Sequence, residues 1–244
     1  MAARFYVPDL KPSSGVAELP IDEAHHLTRV LRLETGAVVG VFDGRGTEWR
    51  ARVETAGKAG VQVALLEPVP ARRPAVDITL VQAVLKGEPM DDVVRDATML
   101  GIAAVQPILS ARTAVKAAAM AAAVERWRRV ALASAKQCGA ASLPDIAEVI
   151  RFDEWLPASL QDAFILVEPS IAVAPVTIRK LASAPVPARA VLLVGPEGGW
   201  TEEERERATA AGCKSLSLGP MTLRAAAVPL AATAALLGIW GSSD

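Results

Sequence analysis

At 244 residues, 52% of them apolar and 22% charged, the chain can bury one large or two modest cores and lacks the make-up of a disordered or fibrous protein. Cys138 and Cys213 are the only cysteines, so neither a disulfide framework nor a zinc cluster is available, and no basic-then-apolar leader is evident, which makes the cytoplasm the expected location. A net charge of −1 carries no overall basic excess, so any nucleic-acid site must be local.

Residues 1 to about 70 read as a small β-rich domain. Arg4 to Val7 is a strand, and Asp22-Glu23-Ala24 opens a helix through Arg32 that Gly36 ends. Val38 to Phe42 and Glu48 to Val53 form a hairpin across Asp43-Gly44-Arg45-Gly46, and Val61 to Leu66 adds a further strand. His25 and His26, being adjacent on a helix, cannot both face one metal, and no metal is expected. Glu67 to Pro74, with three prolines, reads as a linker into a second domain over 71–244.

That domain alternates strand and helix. Val76 to Val84 is a strand closed by Lys86-Gly87, Pro89 sits in the first turn of a helix that Gly101 stops, and Ile102 to Leu109 is the next strand. A long helix spans Ala114 to Gln137, a short one Phe152 to Leu156, a strand Ala163 to Glu168 and a helix Pro175 to Ala182. Such β-α-β spacing implies a parallel sheet.

Two C-terminal stretches carry the functional signal. In VLLVGPEGGWTEEE, a strand over Val191 to Val194 stops at Gly195, and a helix starts at Thr201 with Glu202, Glu203 and Glu204 in its first turn. The glycines allow close backbone approach to a ligand. Three acids behind the loop, and no Lys-Ser/Thr pair, argue for a ligand carrying donors or positive charge rather than a P-loop phosphate. In LSLGPMTLR, a strand over Ser215 to Leu218 breaks at Gly219-Pro220 before an Ala/Leu helix from Ala225 to Trp240, too short and alanine-rich for a membrane span. Two such strand ends, one helix apart, are expected side by side in the sheet, where ligands of open α/β folds bind.

GPEGG and LSLGPxxLR, in this order at the C-terminus, resemble the cofactor motifs of the SPOUT methyltransferases. RFYV, HHLTRVLR and VFDGRG, with Lys86, Arg112 and KQCG, narrow the resemblance to the RsmE family of 16S ribosomal RNA uridine-N3 methyltransferases over nearly the whole length. The resemblance implies an α/β SPOUT domain with a deep trefoil knot and a mostly parallel sheet, behind an N-terminal PUA-like β-barrel over 1–70. It implies S-adenosylmethionine as cofactor, 16S ribosomal RNA or the small ribosomal subunit as substrate, and a homodimer. Glu168, Val194, Gly195, Pro196, Glu197, Gly198 and Gly199 would hold the cofactor from one side. Leu216, Leu218, Gly219, Pro220, Met221 and Leu223 would hold it from the other. Arg4, Arg29, Arg32, Arg45, Lys86 and Arg112 match the family's RNA-facing basic positions. Arg224 is the candidate for stabilising charge on the uracil oxygens, and Glu197 either a base or a loop-holding group.

The chain departs from that pattern in places. Met221 stands where the family has a basic residue, Ala226-Ala227 replace a Glu-Thr pair, Pro229 follows them, and Asp96 and Met99 stand where lysine and glutamate are usual. Two readings stay open: an active uridine-N3 methyltransferase, or a weakened or retargeted SPOUT protein that binds cofactor or RNA without methylating the usual uridine.

Overall fold

The computed structural model describes residues 3–57, 60–115, 120–171 and 174–241. The chain divides into two compact units, Met1–Arg72 with Leu132–Leu143, and Arg73–Ala131 with Pro144–Asp244.

The first unit contains β1 (Arg4–Tyr6), β2 (Val16–Glu18), α1 (Ile21–His25), β3 (Val38–Phe42), β4 (Glu48–Gly57) and β5 (Gly60–Val69). They form a five-stranded sheet in the order β1-β3-β4-β5-β2. β1 and β3 run parallel and the other pairs antiparallel. Alternation sorts the faces: Phe5, Val39, Val41, Ala51, Val53 and Val63 point into one core with Leu27. The hairpin forms where expected, because the Asp43 carboxylate accepts the N–H groups of Arg45 at 2.7 Å and Thr47 at 2.9 Å.

The first helix is shorter than the sequence predicts. After α1 it widens into a π turn over His26–Val30. It then stops, with Arg32 at φ +52° and the Leu33 N–H reaching back to the Leu27 carbonyl at 3.0 Å. Arginine there holds the left-handed position after a helix that glycine usually fills. β2, three residues long, escapes periodicity analysis, and Glu67–Val69 extend β5 into the expected linker.

The second unit contains β6 (Asp77–Ala83), α2 (Pro89–Met99), β7 (Ala104–Leu109), α3 (Met120–Cys138), β8 (Asp145–Ile146), β9 (Ile150–Arg151) and α4 (Phe152–Trp155). It continues with β10 (Ala163–Leu166), β11 (Val176–Thr177), α5 (Ile178–Ala182), β12 (Arg189–Val194), α6 (Glu202–Ala210), β13 (Lys214–Ser217) and α7 (Ala227–Trp240). From Leu132 onward α3 belongs to the first unit, and residues 116–119 of its expected start lie outside the described residues.

The sheet runs β11-β13-β10-β12-β6-β7-β8, with β9 also on β7, and its pairs are all parallel. Strand β10, at the centre, shows the continuous apolar run of a strand covered on both faces: all four of its residues are apolar and buried. The two motif strands are not neighbours, contrary to the sequence reading. β10 pairs with both and lies between them, which places the residues after Leu166 between the two glycine loops. Residues 175–182 open with β11 before the helix starts at Ile178, because Val176 and Thr177 pair with Leu216 and Ser217. No helix among the described residues is long and apolar enough to cross a membrane.

Candidate active site

A cavity of about 630 Å³ opens at the carboxyl ends of β6, β7, β10, β12 and β13 in the second unit. Its walls come from the chain after β12 (Val194 to Trp200), after β13 (Leu216 to Val228) and after β10 (Leu166 to Ile171), with Leu85, Pro89 and Arg112 from the strands beyond. Of the thirteen residues expected to hold a cofactor, all but one line it; Pro220, exposed between Gly219 and Met221, does not. Arg224 lines it too, with an exposed side chain.

The GPEGG loop is held from three directions. Gly199 donates to the Pro196 carbonyl at 2.9 Å and takes φ +66°, a conformation strained for any residue with a side chain. Arg112 Nη1 donates to the Gly198 carbonyl at 2.8 Å. A side-chain carbon on Gly198 would come within 3.2 Å of Arg112 Cβ. Glu197 Oε1 accepts the backbone N–H of Lys86 at 3.1 Å, tying the loop after β12 to the loop after β6.

Behind the loop, the buried Trp200 donates Nε1–H to the Leu166 carbonyl at 3.2 Å and lies under Gly195, where a side-chain carbon would meet the indole at 3.2 Å. The Glu168 carboxylate sits beside Gly199, 3.7 Å from where a side-chain carbon there would lie. Glu204, buried, completes a capping box with Thr201 and also accepts the Ala111 N–H at 2.7 Å, fixing the loop after β7 to the start of α6.

The lining is apolar across Leu166, Val194, Leu216 and Leu218, with few polar side chains: Glu168, Glu197, Arg112, Thr222 and Arg224. Such a site grips flat apolar parts by contact and orients a ligand through backbone groups and one or two carboxylates. Cys213 lies in the neighbouring core, where burial pushes its thiol up to about 12, so it stays protonated and inert.

The basic residues expected to face RNA separate into distinct situations. Arg112 lines the cavity, and Lys86 is exposed at the end of β6. In the first unit Arg29 and Arg32 are exposed at the helix end, and Arg45 is exposed on the hairpin with Nη2 donating to the Pro8 carbonyl at 2.6 Å. Arg4 instead has its side chain only 7% exposed. It forms a two-bond pair with Glu48 at 2.9 and 2.7 Å and donates to the carbonyls of Ala135 at 2.5 Å and Ala140 at 3.0 Å. Its donors are spent on closing the C-terminal end of α3. Trp200, Leu85, Pro89 and Ile171 also line the cavity although the sequence reading assigned none of them to the site; only Trp200, directly after the glycines, carried a signal there.

Comparison with known proteins agrees with this geometry. The RNA methyltransferase domain family matches residues 72–237, and the RNA methyltransferase PUA domain family matches residues 19–66. Ribosomal RNA small subunit methyltransferase E of Synechocystis sp. is 33% identical, covering 96% of this chain and 77% of the relative. That of Mycobacterium bovis is 32% identical, covering 100% and 95%. Among solved structures, ribosomal RNA small subunit methyltransferase E of Neisseria gonorrhoeae, bound to S-adenosylmethionine, superposes with a TM-score of 0.85 at 30% identity and 98% coverage of both chains. A Legionella pneumophila protein in complex with the same cofactor gives 0.87 at 28% identity, covering 100% of both.

Proposed function

The chain belongs to the ribosomal RNA small subunit methyltransferase E family of RNA methyltransferases, and on that premise we propose that it transfers a methyl group from S-adenosylmethionine to N3 of a uridine in 16S ribosomal RNA. The observation that carries the reading is the cavity itself. Both glycine motifs and the chain after β10 converge on one apolar space of about 630 Å³, within the range of roughly 300–1,000 Å³ that cofactor-sized ligands fill.

The residues fit this cofactor. Leu166, Val194, Leu216 and Leu218 offer apolar walls for adenine, backbone groups of the glycine loops lie open to it, and Glu168 offers acceptors for hydroxyl or amino donors. The bound cofactor supplies an electrophilic methyl group on a sulfonium. The chain supplies placement and charge. Arg224, exposed in the cavity lining, offers an always-charged fork of donors for the oxygens of a uracil anion. Glu197, already engaged with the Lys86 N–H, holds the two loops in register rather than serving as base. Lys86 and Arg112 in the second unit, and Arg29, Arg32 and Arg45 in the PUA domain, are the exposed basic residues proposed to contact the RNA.

The trefoil knot is part of the same proposal. Its support is the sheet order: β13 lies between β10 and β11, two strands that precede it in the chain. A homodimer is proposed as well, because α7 has no charged residue and leaves Ala227, Leu230, Ala234 and Gly238 exposed along one stripe. The cytoplasm, where ribosomal RNA is modified, is the proposed location.

Titration calorimetry with S-adenosylmethionine tests the site. Micromolar-range binding is expected in the wild-type protein, and at least a tenfold loss, about 1.4 kcal/mol, in Gly198→Val, whose side chain would crowd Arg112. Mapping of 16S ribosomal RNA from a deletion strain should show one N3-methyluridine missing. An unchanged pattern beside intact cofactor binding would favour a retargeted enzyme, a reading supported by Ala226, the first of the two alanines at the Glu-Thr positions, lining the cavity without a polar group.

A further inference from the structure

The sheet of the first unit has a second face. Opposite the core, Arg4, Gly40 and Arg50 lie in register across β1, β3 and β4. Part of this face is covered by the segment 132–143, packed through Phe42, Ala135 and Ala141. The remainder is a groove of about 240 Å³ bordered by Arg4, Glu48, Arg50, Arg72, Val38 and Pro70. Nothing in the proposed methyl-transfer site uses it.

The groove has a fixed floor and an adaptable rim. Arg4 and Glu48 have side chains only 7% and 11% exposed and satisfy each other, so the floor is neutral and rigid. Gly40 keeps it open, since a side-chain carbon there would lie 3.2 Å from Arg4 and 3.3 Å from Glu48. At the rim Arg50 pairs with Glu67, but both are more than half exposed, and so exposed a pair contributes at most about 1 kcal/mol. Arg50 can therefore exchange that carboxylate for a better anion. Arg72 is exposed just beyond Pro70, and Val38 is 43% exposed beside them.

We propose that this groove binds a single nucleotide of the RNA substrate, with Arg50 and Arg72 holding its flanking phosphates and Val38, Val69 and Pro70 receiving the sugar or base edge. The chemistry selects such a ligand. Two guanidinium forks above a charge-balanced floor match phosphate oxygens, and the apolar wall gives an unstacked base or ribose somewhere to lie. In a chain of net charge −1, a local arginine pair of this kind adds phosphate contacts that the overall charge does not supply. The inference rests on the RNA methyltransferase reading.

The test is fluorescence anisotropy with a fluorescein-labelled 16S ribosomal RNA transcript, over a salt series, for Arg50→Ala/Arg72→Ala and for Arg179→Ala/Arg189→Ala, a charge-matched control on exposed residues of the second unit. The groove variant is expected to bind on the order of tenfold more weakly, with the slope of log K against log salt reduced by about 1.4 for two lost phosphates. The control should stay near wild type, and cofactor binding should be unchanged in both. Arg50→Lys/Arg72→Lys should restore the slope, and Glu67→Ala should tighten binding about twofold by removing the competing carboxylate. A groove variant that binds no worse than the control, in a protein whose wild type binds and methylates the transcript, overturns the groove alone. A wild type that binds cofactor but not the transcript overturns the groove together with the RNA reading.

Discussion

Glu197 and Arg112 show how little of a site residue's role its type reveals. Glu197 sits among the glycines of a loop that lines the cavity, a place for a general base, yet its Oε1 accepts the Lys86 N–H at 3.1 Å and joins two strand ends. Arg112, expected to meet RNA, has Nη1 engaged with the Gly198 carbonyl while it lines the cavity. A positioning role for Glu197 makes a distinct kinetic prediction. Glu197→Gln keeps an acceptor oxygen and should methylate within about threefold of wild type with an unchanged pH profile. Glu197→Ala should lose on the order of tenfold in kcat/KM, the equivalent of one such hydrogen bond. If Gln and Ala are equally crippled and the acidic limb of the profile disappears in both, the carboxylate is the base. Arg4 teaches the converse: nothing in RFYV distinguishes an arginine bound for RNA from one buried against Glu48, since the distinction lies 44 and more residues away in the chain.

At the scale of elements, the pieces with strong local chemistry were legible and the pieces made by partners were not. The Asp43 hairpin, Pro89 at the start of α2 and Thr201 at the cap of α6 each satisfy their own backbone within a few residues, and all three stand where the sequence placed them. β2 and β11, three and two residues long, exist only because β5 and β13 pair with them, and no periodicity can develop over such lengths. The π turn over His26–Val30 and the left-handed Arg32 likewise carry no signal in the sequence pattern. α6 illustrates an element doing two jobs. Read from the sequence, its first-turn acids complement the helix dipole; in the fold, Glu204 alone accepts from Thr201 at 2.9 Å and from Ala111 at 2.7 Å. Glu204→Ala removes a cap and orphans the Ala111 N–H, a loss of about 1–3 kcal/mol. Differential scanning calorimetry should record a fall in Tm on the order of 5 °C, with Glu202→Ala, whose residue is exposed, close to wild type.

At the scale of the whole molecule, the parallel sheet was legible from alternating strands and helices, whereas the strand order was not. Sequence proximity argued for β12 beside β13; the fold places β10 between them, and only that insertion brings Glu168 and Leu166 to the cavity between the two glycine loops. Order of this kind depends on which apolar faces match over more than fifty residues of chain, a quantity no local window contains. The same reasoning bears on assembly. α7 buries Ala232, Thr233, Leu236 and Trp240, but its outer stripe is as apolar as its inner one, with Leu230 42% exposed. A helix apolar all round is stable in water only when covered. Beside its start, Met221 and Leu223 are 77% and 40% exposed at the cavity mouth, so the uncovered surface continues from α7 to the site. A second copy of the chain would cover both, and sedimentation equilibrium should then give about twice the 25.5 kDa of one chain. Leu230→Asp sets a charge in the middle of the stripe without touching the buried face, and should shift the species to monomer and weaken cofactor binding along with it. A protein that sediments as a monomer before any substitution would mean that the stripe tolerates water, and that one chain completes the cavity by itself.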